Sequence, residues 1–130
     1  MAYTDFTSCT AVLGIDTTAS NVGGYVGNAT ALSHYTNCVS KGSIKTTGMN
    51  VGGYIGNVST TKATANINDQ FNLIQGSANL ANITAFNVAA GFVGNMNNSS
   101  VKMLRCYNAG PITATSTSLC NVYIAHFIAT

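Results

Sequence analysis

An eight-residue phrase occurs twice, as Asn21-Val-Gly-Gly-Tyr-Val-Gly-Asn28 and as Asn50-Val-Gly-Gly-Tyr-Ile-Gly-Asn57, the second copy 29 residues after the first. Cys9 and Cys38 stand the same 29 residues apart. Two unrelated columns with one period mean an internal repeat. A period of this length is one supersecondary unit that buries its apolar face only by stacking on its copies. A third copy reads Ala90-Gly-Phe-Val-Gly-Asn95, and a decayed fourth reads Ala125-His-Phe-Ile-Ala-Thr130. The defining positions are thus Gly23, Gly24, Gly27 and Asn28, then Gly52, Gly53, Gly56 and Asn57, then Gly91, Gly94 and Asn95. The aromatic column is Tyr25, Tyr54, Phe92 and Phe127.

A second phrase alternates with the first, seen best as Asn37-Cys-Val-Ser-Lys-Gly-Ser-Ile44 and Arg105-Cys-Tyr-Asn-Ala-Gly-Pro-Ile112. Looser versions run from Ser8 to Ile15, read with one inserted residue, and from Phe71 to Ala78, with Asn72 in the cysteine's place. Residues 1–130 therefore read as a single domain of four units, 3–31, 32–60, 61–98 and 99–130. The last two are longer, and such insertions are expected to bulge as loops on one side of a stack.

Helix formers are scarce outside Ala, no Glu occurs, and Gly or β-branched residues interrupt every window, so no substantial helix is expected. Short runs bounded by Gly, Asn, Ser and Thr predict two or three strands per unit. Alternation puts Val22, Gly24 and Val26 on one strand face, with Gly23, Tyr25 and Gly27 on the other. The expected fold is an all-β parallel β-solenoid (β-helix) of about four coils, in which equivalent residues lie over one another at about 4.8 Å. Columns of Val and Ile fill it. Glycines would supply φ > 0 at corners and close approach between sheets. Asn28, Asn57 and Asn95 are placed to form an amide ladder.

The alternation of Val-Gly-Gly-Tyr-Val-Gly with Asn-Cys-Val-Ser-Lys-Gly-Ser-Ile resembles the GLUG-type repeat of bacterial and protist surface proteins, adhesins and some secreted peptidases. The likeness covers nearly the whole chain and is sharpest in the first two units. It implies a parallel β-solenoid with a non-catalytic, surface-displayed role. Tyr stands where that family commonly has an aliphatic residue.

Charged residues are only 6% of the chain while apolar ones are 46%, so the polar surface is built from Thr, Asn, Ser and Gly. A net charge of +2 offers little resistance to association and no basic patch for a phosphate backbone, which excludes nucleic acid as a partner. No apolar run reaches the about 18 residues of a membrane span, so membrane insertion is not expected. Met1-Ala-Tyr-Thr-Asp lacks the features of a secretory signal. The chain then either stays in the cell or is a piece of a longer secreted protein. Asn28, Asn57, Asn82, Asn97 and Asn98 each open an Asn-x-Ser/Thr glycosylation sequence, a hint of an extracellular or cell-surface place, though a laddered Asn28 or Asn57 is a poor acceptor.

Cys9 and Cys38, one rung apart, are within the Cα separation a disulfide tolerates, but the reading as reduced core residues is favoured. His34 and Cys38 lack a partner pair for zinc. Asp5, Asp16 and Asp69 are the only carboxylates and His34 and His126 the only imidazoles, too few and too scattered for hydrolase or lyase chemistry. No enzyme activity and no cofactor are expected. Tyr25, Tyr54 and Phe92 would be a glycan-binding platform if their face pointed outward; Phe in that column favours burial. Neither end carries a capping element, so its strand edges are expected to pair with like units end to end. The leading expectation is a structural or adhesive module, with glycan binding and ice binding as alternatives.

Overall fold

The computed structural model describes residues 4–59, 72–96, 101–115 and 123–125. The first unit forms β1 (Thr4–Thr7), β2 (Thr10–Thr17), β3 (Val22–Gly23) and β4 (Val26–Ala29). The second repeats the same order in β5 (Ser33–Thr36), β6 (Val39–Thr46), β7 (Val51–Gly52) and β8 (Ile55–Val58). In the third, the long strand is split: β9 (Asn72–Gln75), β10 (Ala78–Asn79), β11 (Asn82–Ala85), β12 (Val88–Ala90) and β13 (Val93–Met96). The fourth contains β14 (Val101–Leu104), β15 (Tyr107–Asn108), β16 (Ile112–Ala114) and β17 (Tyr123–Ala125). Units one and two thus hold four strands each, not two or three, because corners cut each unit into shorter pieces than the composition suggested.

Every pairing is parallel, and each joins a strand to its counterpart in the neighbouring unit. There are four separate sheets: β1-β5-β9-β14; β2-β6 continued by β10 and β11 and then by β15 and β16; β3-β7-β12-β17; and β4-β8-β13. The chain is all-β, with no helix among the described residues.

Register corrects three details of the sequence reading. Pairing of β2 with β6 runs unbroken from Thr10↔Val39 to Thr17↔Thr46, so Ser8–Ile15 has no inserted residue. The cysteine's counterpart in the third unit is Ser77 and not Asn72, since Ala78 pairs with Val39 while Leu73 pairs with His34. Ser77 was obscured because the separation between partners grows from 29 to 39 residues there, the extra chain falling between Ser59 and Asn72. A further enlargement falls between Ala114 and Tyr123, since β16 keeps the earlier spacing to β11 while β17 does not keep it to β12. The two lie between different strands, so a single looped side is not the pattern; the inserted residues themselves are mostly outside the described set.

The corners are made mostly by residues other than glycine. Ser8, Asn37, Gly76 and Arg105, each directly before the cysteine column, have φ of 52°, 53°, 57° and 51°. Asn21 and Asn50, before the Val-Gly-Gly phrase, have φ of 57° and 61°. Asparagine tolerates this left-handed conformation better than other non-glycine residues. The phrase glycines serve close approach instead: a Cβ on Gly53 would fall on the carbonyl oxygen of Gly91 and the side chain of Asn79. They also break the expected single strand. Tyr54 and Ile55 are adjacent in sequence and both fully buried in the same core, which a two-residue alternation forbids. A bend at Gly53-Tyr54, between β7 and β8, turns both inward.

Two apolar clusters result. Tyr35, Tyr54, Ile55, Ile74, Phe92 and Val93 form one, and Ile44, Val51, Ile83 and Ala89 the other. Both are columns of equivalent positions.

Candidate functional site

The four strands of the first unit have one property in common. Each of β1, β2, β3 and β4 ends its sheet, paired on one side only among the described residues. At the opposite ends of three sheets lie the strands of the fourth unit, β14, β15, β16 and β17. An unpaired strand edge presents backbone N–H and C=O groups to whatever can align with it. Apolar side chains at both ends are only partly buried: Phe6, Cys9, Tyr25 and Val26 at one, Val101, Met103 and Cys106 at the other. Their counterparts inside the stack, Tyr35, Cys38, Tyr54, Ile55 and Ile74, are covered.

An aromatic column was expected at Tyr25, Tyr54 and Phe92, and the structure stacks these rings with centroids 4.9 Å apart at each step. The face that would have carried a glycan platform does not point outward: Tyr54 and Phe92 are 0% exposed. The tyrosine hydroxyls find partners inside. The single Tyr54 O–H is shared between the carbonyl oxygens of Cys38 at 2.7 Å and Ala78 at 2.9 Å, and that of Tyr25 between Cys9 and Val39 at 3.0 and 2.8 Å. A second column, Phe6 on Tyr35 at 4.9 Å and 2° between planes, packs edge-on against the first. It was missed, although Phe6 and Tyr35 share the repeat spacing of the cysteines. Burial pushes the Tyr35 phenol up to about 12, with lesser help from Cys38. Tyr25 and Tyr54 are raised further, again chiefly by loss of water.

Asn57 Nδ2 donates to Asn28 Oδ1 and Asn95 Nδ2 donates to Asn57 Oδ1, both at 2.8 Å. Asn50 Nδ2 donates to Asn21 Oδ1 at 2.9 Å in a parallel ladder. Asn79 Nδ2 reaches Asn108 Oδ1 at 2.6 Å in a third, which sequence reading did not single out. Of the glycosylation sequences, Asn57 has its Nδ2 occupied, Asn28 and Asn82 are exposed, and Asn97 and Asn98 lie outside the described residues, as do His126, Phe127 and Asp69.

Cys9, Cys38 and Cys106 are free thiols. The Cys9–Cys38 bridge is not formed. Each sulfur lies within donating reach of the carbonyl two residues earlier, Thr7 for Cys9, Thr36 for Cys38 and Leu104 for Cys106, and Cys38 and Cys106 also reach the carbonyls of Phe6 and Ile74, each at 3.2 Å. Ser77 Oγ does the same to Gln75 at 2.8 Å, which is why serine can hold the position.

Asp5 and His34 are neighbours in register and approach to 3.5 Å on the surface. Among the described residues no group of three or more His, Cys, Asp or Glu is placed to hold a metal, and no helix is long and apolar enough to cross a membrane. The chain matches no family model, no curated protein and no solved structure.

Proposed function

We propose that this protein is a parallel β-solenoid of about four coils, of the GLUG-repeat kind, and that it works as a non-enzymatic structural or adhesive module outside the cell or on its surface. Its coil edges pair with like units, in other copies or in adjacent repeats, to build a filament or stalk. The observation that carries this reading is the shared order of the strands. Each strand of the first unit pairs in parallel with its counterpart in the second, leaving all four edges of the first unit without a partner among the described residues. Half-covered apolar groups at both ends support it. Glycan recognition by the aromatic column has lost its basis with the rings buried. Ice binding is not favoured, since the exposed positions along β6 are Lys41, Gly42, Ser43 and Lys45, not a threonine array.

Sedimentation velocity across a wide concentration range, with electron microscopy of the same samples, tests the assembly. Elongated particles whose mass grows with concentration are expected. A monomer of unchanged mass at the highest concentration would remove it.

A further inference from the structure

The first and last units of this chain have charges of opposite sign. The first unit, 3–31, contains Asp5 and Asp16 and no Lys or Arg; the last, 99–130, contains Lys102 and Arg105 and no Asp or Glu. All four side chains are exposed. Asp5 pairs in register with His34, His34 with Leu73, and Leu73 with Lys102, so Asp5 and Lys102 are the two ends of a single column. Phe6 and Met103 end the neighbouring column through Tyr35 and Ile74. Cys9 and Cys106 end a third, through Cys38 and Ser77.

Two of the three amide ladders have the same direction, while in the third Asn79 donates to the later Asn108. In the Asn95–Asn57–Asn28 and Asn50–Asn21 series the later residue donates to the earlier. Among the described residues nothing accepts from Nδ2 of Asn28 or Asn21, so the first edge offers donors. What fits beneath it is a coil that acts as a preceding unit, presenting apolar side chains in the same columns and positive charge.

We propose that the first-strand edge of one molecule takes the last-strand edge of a second copy, head to tail, with Asp5 against Lys102, Phe6 against Met103 and Cys9 against Cys106. This rests on the reading that the edges pair with like units and adds the partner's face and polarity. One rung of parallel pairing sets these residues about 4.8 Å apart. Opposite charges there favour the pairing and like charges disfavour it, and a methionine sulfur against an aromatic ring is a favourable contact. Head-to-head pairing of two first edges would run their strands antiparallel and join two units whose only charged residues are acidic, Asp5 and Asp16. The assembly is therefore open and polar, not a closed two-fold dimer.

Charge reversal at the two exposed ends tests this. Asp5→Lys and Lys102→Asp, each alone, are expected to weaken self-association about tenfold at low salt. An equimolar mixture is expected to recover it, because each altered edge then meets a complementary one. In a Cys38→Ser/Cys120→Ser background a short bis-maleimide should join Cys9 of one chain to Cys106 of another, identified by peptide mapping. Assembly that persists with Lys102→Asp unimpaired, or that yields Cys9–Cys9 links, overturns the polarity while leaving self-pairing intact. A monomer at all concentrations overturns both.

Discussion

Tyr25 and Tyr54 lie face to face, ring centroids 4.9 Å apart and planes 20° from parallel, with Phe92 continuing the stack at the same spacing. Equivalent residues of successive repeats are thus vertical neighbours, and the inner ring depends on both others for its cover.

Tyr54 is consequently the most sensitive of the three. Tyr54→Phe keeps the ring, as Phe92 does, and loses two hydroxyl contacts to carbonyls, a cost of about 1–2 kcal/mol. Tyr54→Ala removes the ring as well and costs about 3–5 kcal/mol. Tyr25→Ala, at the half-covered end, costs less. Urea denaturation of the three variants gives the order; equal losses at positions 25 and 54 would contradict the stack.

Glycines in this fold are not equivalent. Gly53→Ala puts a methyl on the backbone carbonyl of Gly91, which cannot swing aside as a side chain can, and is expected to prevent folding or cost about 3 kcal/mol or more. Gly14→Ala meets nothing within 4 Å and leaves stability within about 0.5 kcal/mol. Circular dichroism and thermal melting of the pair separate steric need from composition.

Asn57 gives one amide bond and receives another. Asn57→Ala is expected to cost about 1–2 kcal/mol. Asn57→Asp keeps the acceptor for Asn95 but sets a carboxylate against the Asn28 oxygen, so its loss should shrink as pH falls through the carboxylate range. Urea midpoints at pH 3 and pH 7 check this, and a loss independent of pH would argue against the ladder.

High pH should unfold the chain. Burial raises the phenol of Tyr35 to about 12 and those of Tyr25 and Tyr54 further, while an unfolded tyrosine loses its proton near 10. Above that value the native state holds more protons than the unfolded one, so stability falls as pH rises and is unaffected below it. Absorbance at 295 nm should rise together with the loss of strand signal. Ionisation of these phenols in a chain that keeps its strands would count against their burial.

Thiol access separates the ends of the cysteine column from its middle. Cys38 is 1% exposed and should resist an aromatic disulfide reagent until the chain unfolds, while the half-covered Cys9 and Cys106 react in the native state. Mass spectrometry of partially labelled protein reads the sites; early labelling of Cys38 would contradict its place in the core.

Repetition made the vertical neighbours legible. Asn21 with Asn50, Asn28 with Asn57 and Cys9 with Cys38 follow from the shared spacing alone, because parallel strands stack like on like. Phe6 and Tyr35 obeyed the same spacing but sat in no conspicuous phrase. Ser77 escaped because the chain lengthens just before it. The charge sorting of Asp5 and Lys102 was also present in the sequence, yet it gains meaning only when register makes them ends of one column.

The sequence by itself determined the period, the β character and which residues stand above which, since all of these depend on recurrence along the chain. Only the tertiary structure decided which way each residue faces. The Gly-Gly-Tyr phrase is a bend and not a straight strand, so simple alternation fails at Tyr54 and Ile55. Carbonyl oxygens contributed by Cys38 and Ala78, distant in the chain, satisfy the Tyr54 hydroxyl in the interior, where Phe92 needs no such partner.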